Sequence, residues 1–245
     1  MGISCAGLTD IPNPFATQTP TPTNTFTPSP TSTVTPSPTA TLPPPSTPAP
    51  SGAQTKKLLA RTTLFIDYDN KYRFVLPEEW VAIPFNKGEF SSALGELAEN
   101  NPDLVESAAA FKDLDPDVVR LLALNKDPKF FVNGAATNLS VTAVEDDVLS
   151  AMPLSFITGV LEESFKQSGV KVVTEGVNTI RNIHGIEVEF IDTEQSANGS
   201  TIAQRLMVFQ SNKKVIVITL TTLKQFAKDV FLASDLICAT IEPVR

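Results

Sequence analysis

The chain has 245 residues, 42% of them hydrophobic and 19% charged, with a formal net charge of −8. That acidic balance excludes a protein whose main task is gripping a phosphate backbone, which needs clustered Lys and Arg, so nucleic acid is not an expected partner. No run approaches the roughly 18 uninterrupted apolar residues of a membrane-spanning helix; the strongest, residues 215–220, contains a Thr.

Charge and proline are distributed unevenly. Thirteen of the 20 prolines precede residue 51, and Asp10 is the one charged residue before Lys56. Residues 1–18 are expected to be an N-terminal segment and residues 19–55 a disordered spacer. From Thr19 the spacer repeats an octapeptide three times, Thr-Pro-Thr-Pro-Thr-Asn-Thr-Phe, Thr-Pro-Ser-Pro-Thr-Ser-Thr-Val and Thr-Pro-Ser-Pro-Thr-Ala-Thr-Leu. Alternating prolines remove backbone donors and fix φ, and one apolar side chain per repeat cannot offset the entropy of ordering. In polyproline II, the eight-residue period turns Phe26, Val34 and Leu42 away from any common stripe. Fully extended at ~3.1 Å per residue, such a spacer spans on the order of 100 Å.

Residues 56–245 form one expected globular domain. A strand is predicted over 63–66, a turn at Asp69-Asn70, and a second strand in which Tyr72, Phe74 and Leu76 alternate with Lys71, Arg73 and Val75. Pro77 breaks that run before a third strand, Trp80-Val81-Ala82-Ile83. A helical insertion is expected over about 86–125. Phe90, Leu94 and Leu97 fall at helical spacing, and Asn101-Pro102-Asp103 and Asp115-Pro116-Asp117 each place a cap, an N1 proline and an acidic first turn before apolar residues. Its apolar side chains exceed what a connection needs, so Leu94, Leu97, Leu104, Phe111 and Leu122 are a candidate partner groove.

Strands are predicted at 129–132 and 139–144. A helix follows from residue 153 with Leu154, Ile157, Leu161 and Phe165 on one face, closed by Gly169. Strands at 170–174, 183–192, 201–210 and 213–221 suggest an antiparallel meander turning at Asn198-Gly199 and Ser211-Asn212. A last helix starts at a capping box of Thr222 and Gln225 and turns Phe226, Val230, Ala233 and Ile237 inward, with Cys238 as core. Cys5 and Cys238 stand in different contexts and make no disulfide framework.

Two short stretches carry resemblances. Ile3-Ser4-Cys5-Ala6, followed by a Thr/Pro spacer, resembles the end of a bacterial lipoprotein signal, which makes Cys5 the expected lipid attachment site and implies a translation start further upstream. Tyr72-Arg73-Phe74-Val75-Leu76-Pro77-Glu78-Glu79-Trp80 resembles the opening of PsbP-like domains and related bacterial lipoproteins, and the strand of 215–221 with its following helix resembles their ending. The resemblance implies an α+β fold, an antiparallel sheet sandwiched between helices as in the Mog-type proteins, and a family of mostly non-catalytic binders.

Chemistry is sparse. There is no Gly-x-Ser-x-Gly elbow or Walker loop, and a single histidine cannot supply a two-His metal motif. His184 reads as a turn residue without a visible base partner. Asp113-x-Asp115-x-Asp117 begins like a calcium loop but has Val118 where Gly is required and Leu124 in place of the final Glu. Asp67-x-Asp69 with Glu78 fails at Lys71 and Tyr72. Glu145-Asp146-Asp147 is either an ion or partner site or a solvated turn. No enzyme activity and no cofactor are expected. The reading is an extracytoplasmic binding or assembly module, held to the bacterial membrane by a lipid anchor, whose partner is an envelope protein or a small apolar ligand. The alternatives are a ligand-carrying or chaperone-like protein using the insertion, or a metal-assisted enzyme built from scattered carboxylates.

Overall fold

The computed structural model describes residues 50–59, 61–84, 115, 117–132, 135–174, 180–197 and 199–244. The chain divides into units Met1–Thr47 and Pro48–Arg245, and every described residue lies in the second. Among the described residues, fourteen strands follow in chain order: β1 (Ala53–Lys57), β2 (Thr63–Asp67), β3 (Tyr72–Leu76), β4 (Trp80–Pro84), β5 (Val119–Asn125), β6 (Phe131–Val132), β7 (Ala135–Ala136), β8 (Asn138–Glu145), β9 (Lys171–Val172), β10 (Arg181–Ile183), β11 (Ile186–Ala197), β12 (Ser200–Ser211), β13 (Lys214–Leu223) and β14 (Glu242–Pro243). Helix α1 (Leu154–Gln167) lies between β8 and β9, and α2 (Ala227–Ala239) between β13 and β14.

A small antiparallel sheet runs β1-β2-β3-β14. The period-2 patterns of β2 and β3 turn Thr63, Phe65, Asp67, Tyr72, Phe74 and Leu76 inward. Their rings pack as a cluster, with Phe65 5.1 Å from Phe74 and Tyr72 edge-on to Phe209 at 5.2 Å. Strand β1 begins at Ala53, within the stretch expected to be spacer, and pairs Ala53 with Asp67.

The large sheet runs β10-β11-β12-β13-β8-β5-β4, with β9 also on β11. Alternation along its long strands sorts side chains between two cores. Met207, Phe209, Ile216 and Ile218 face the small sheet and α2, whose Val230, Ile237 and Cys238 join the same cluster. Leu206, Val208 and Val215 face the other way, onto Leu154 and Ile157 of α1. The fold is therefore α+β, with a helix packed on each face of an antiparallel sheet.

Several expectations need correcting. Residues 119–125 form a fully buried strand paired with both β4 and β8, so the helical insertion does not extend to 125. Asp115 does cap the Asp117 N–H (2.9 Å), but its carbonyl takes the N–H groups of Val118 and Val119 in one turn that leads into β5. Residues 128–130 are a 3₁₀ turn, with the Lys129 N–H donating to the Asp127 carboxylate, and only two residues of strand follow. The capping box is not made, because Thr222 stays buried in β13 with its hydroxyl 2.7 Å from that of Thr137, and a 3₁₀ turn at Lys224–Phe226 leads into α2. The β12–β13 turn lies one residue later than expected, at Asn212 and Lys213, both at positive φ.

Candidate functional site

Leu94, Leu97, Leu104, Phe111 and Cys5 lie outside the described residues. Leu122 is fully buried on β5, so it belongs to the core and not to a partner groove. Asp113 also lies outside the described residues, and the described acidic candidates Asp115, Asp117, Glu145 and Asp146 serve separate local roles. Asp146 accepts the N–H groups of Val148 and Leu149 at 2.9 Å each, Glu145 pairs with Lys214 (2.9 Å), and Asp117 stands 4.0 Å from Arg120. His184 occupies the β10–β11 turn at φ 48°, and its Nδ1 lies 2.9 Å from the Ile241 carbonyl, tying that turn to the end of α2.

Among the described residues, the most concentrated buried electrostatics join Asp67 and Asp69, whose spacing does not make a calcium loop, to Arg120, a pairing that the sequence does not signal. A β-bulge between Val119 and Leu121 lets Arg120 and Leu121 face the small sheet together. The Arg120 guanidinium meets Asp67 through Nε (2.9 Å) and Nη2 (3.1 Å), and Nη2 also reaches Asp69 at 2.7 Å. Asn70 completes the Asp67 shell with its N–H (3.1 Å) and side-chain amide (2.7 Å). The Gly52 N–H bonds the other Asp69 oxygen at 2.8 Å; that bond, and then Arg120, hold the Asp69 carboxyl below its ordinary range against the opposing effect of burial. Ser211 and Asn212 donate to the carbonyls of Asn70 and Asp69, both at 2.6 Å. Every carboxylate oxygen accepts at least one hydrogen bond, so the cluster joins the two sheets. The Tyr72 hydroxyl lies against Asp67 without a hydrogen bond of acceptable geometry among the described residues, and burial, then the Asp67 charge, pushes its pKa well above 10.

The outer face of α1 carries a separate concentration of exposed side chains. Leu154, Ile157, Thr158, Leu161 and Phe165 turn inward, Thr158 donating to Glu189 at 2.8 Å. The opposite face carries Phe156 and Val160, 52% and 47% exposed and one turn apart, with Gly159 between them. With Ser155, Glu163, Ser164 and Gln167 they line an open depression of about 460 Å³. Hydroxyls, an amide and the Glu163 carboxylate rim an apolar floor, so this face offers hydrogen bonds, a negative charge and apolar contact. Its signal was present in the sequence, as apolar residues at 156 and 160 that fall off the 154, 157, 161, 165 stripe.

No family model matches the chain, and no curated protein matches it. Among solved structures, it is similar to the solution structure of cyanobacterial PsbP (CyanoP) from Synechocystis sp. PCC 6803, at 13% identity and a TM-score of 0.47, over 76% of this chain and 94% of that one. It is also similar to LpqN, involved in cell envelope biogenesis of Mycobacterium tuberculosis, at 13% identity and a TM-score of 0.43, over 71% of this chain and 83% of that one.

Proposed function

We propose that the chain is a non-catalytic, extracytoplasmic binding module, held to the bacterial membrane by lipid on Cys5 and given reach by its Thr/Pro spacer, which engages an envelope partner through the outer face of α1. The observation that carries the reading is the outward pair Phe156 and Val160 around Gly159, an apolar floor that the helix does not need for its own packing. The lipid reading rests on Ile3-Ser4-Cys5-Ala6 and on an almost uncharged spacer that gives way to the folded unit at Ala53.

The test expresses the protein from its native locus beside a Cys5→Ala form, each with a photo-crosslinking residue at position 160 or, as a control, at Asp229 on α2. Expected are a diacylglyceryl mass on Cys5, membrane retention lost in Cys5→Ala, and a discrete adduct from position 160 only. Unmodified Cys5 would end the anchor reading, and equal crosslinking from both positions would end the α1 reading.

A further inference from the structure

The β1–β2 connection is the most exposed apolar point on the described surface. Leu59 is 107% exposed and Leu58 36%, and the run Lys56-Lys57-Leu58-Leu59-Ala60-Arg61 holds three cations and no anion in a chain of net charge −8. The connection is closed, with the Leu58 N–H donating to the Thr62 carbonyl at 2.9 Å and Arg61 turned to φ 58°. Arg61 pairs with Glu78 at 3.1 Å with its side chain 82% exposed. Lys57 donates to the Thr63 hydroxyl (3.1 Å), and among the described residues neither Lys56 nor Lys57 meets a carboxylate.

A protruding Leu59 and a partly exposed Leu58 beside two lysines that meet no carboxylate match the chemistry of a bilayer surface. Leucine gains by leaving water at the boundary between headgroups and acyl chains, while lysine keeps its ammonium among anionic headgroups as its stem lies along the apolar layer. We propose that this hairpin tip is a membrane contact that takes the anionic lipid surface of a bilayer, distinct from the Cys5 lipid and independent of it. With one fully exposed leucine, one partly exposed and two lysines free of carboxylates, the contact is weak and reversible, and gains weight when a tether keeps the domain near the membrane. Since β1 spans five residues, about 17 Å, docking by the tip brings the end of the spacer close to the bilayer. The domain then alternates between lying on the membrane and standing away from it.

The test uses the full chain carrying Cys5→Ala, so that no lipid contributes and the two membrane readings fail separately. Co-sedimentation with phosphatidylcholine vesicles containing about a third phosphatidylglycerol is compared with pure phosphatidylcholine. Expected is binding to the anionic vesicles, weakened roughly tenfold or more by Lys56→Glu/Lys57→Glu and by Leu58→Ser/Leu59→Ser, and lost at ~0.5 M salt. Because these side chains are exposed, thermal melts of the variants should match the parent. The indole introduced by Leu59→Trp should shift to shorter wavelength on anionic vesicles, over a constant background from the buried Trp80. Absence of binding by the parent chain, binding unchanged in either double variant, or an indole that stays in water on vesicles would each overturn the proposal.

Discussion

Arg120 is 5% exposed and Asp67 fully buried, so each charge is tolerable only while the other is present. Burying ions costs several kcal/mol apiece, and the bidentate contact, with Asn70 and Asp69 filling the remaining positions, offsets that cost. Replacing Arg120 with Met leaves the Asp67 carboxylate buried without its counterion, and the expected loss is about 3–5 kcal/mol in urea unfolding. Arg120→Lys should recover only part of it, because an ammonium cannot span both carboxylates in the same plane. Tyr72 makes the opposite case. Its hydroxyl has no well-formed hydrogen bond and sits beside a carboxylate, so Tyr72→Phe removes a buried polar atom without stranding another. Stability should change by less than about 1 kcal/mol, or rise; a loss well beyond that would show that the hydroxyl does bond Asp67.

At the scale of elements, turns and helices follow local chemistry where one periodicity dominates. The stripe 154, 157, 161, 165 gave α1, and Gly169 at φ 75° closes its end. Strand β5 was misread because Asp115-Pro116-Asp117 is a good helix start and the seven residues of β5, buried on both faces, carry no period of two to contradict it. Arg120 in that run was the available clue, since a charge amid buried residues requires a counterion, but its partners lie over fifty residues back along the chain. The apolar α1 face was visible as off-stripe residues, whereas the groove expected around Leu122 was drawn from the same misread segment. The β12–β13 turn holds Asn212 and Lys213 at φ 46° and 63°, a two-residue connection in which Lys is strained and Asn-Gly is preferred. Lys213→Gly should therefore raise stability by about 1 kcal/mol, read as a higher thermal midpoint. In α1, a Cβ at Gly159 would meet nothing within 4 Å, so Gly159→Ala should add about 0.5–1 kcal/mol of helix stability. Any weakening of partner crosslinking at position 160 in that variant would then come from a narrower floor and not from a looser helix.

For the molecule as a whole, the question is where folding begins along the chain. The large sheet carries one core on each face, and the small sheet closes one of them, so the edge strand β1 matters more than its five residues suggest. It pairs along β2 through the register Ala53↔Asp67 to Lys57↔Thr63, buries Ala53 beneath the aromatic cluster, and brings the Gly52 N–H to Asp69. Composition placed the boundary at Lys56, where charge first appears, because Ser51-Gly52-Ala53-Gln54-Thr55 looks like spacer by residue type; strand pairing, which composition cannot express, places it before Gly52. The two boundaries make different predictions. A chain shortened to residues 50–245 should melt with the full chain, because the described core lies wholly within Pro48–Arg245. One shortened to residues 58–245 loses β1 and the Gly52 bond, leaves β2 as a new edge over Phe65, and should melt at least about 5 °C lower, roughly 2 kcal/mol for a domain of this size. Differential scanning calorimetry on the three chains decides between them. Equal midpoints for all three would mean that β1 contributes nothing to the core and that the clamp around Asp69 rests on Arg120 alone.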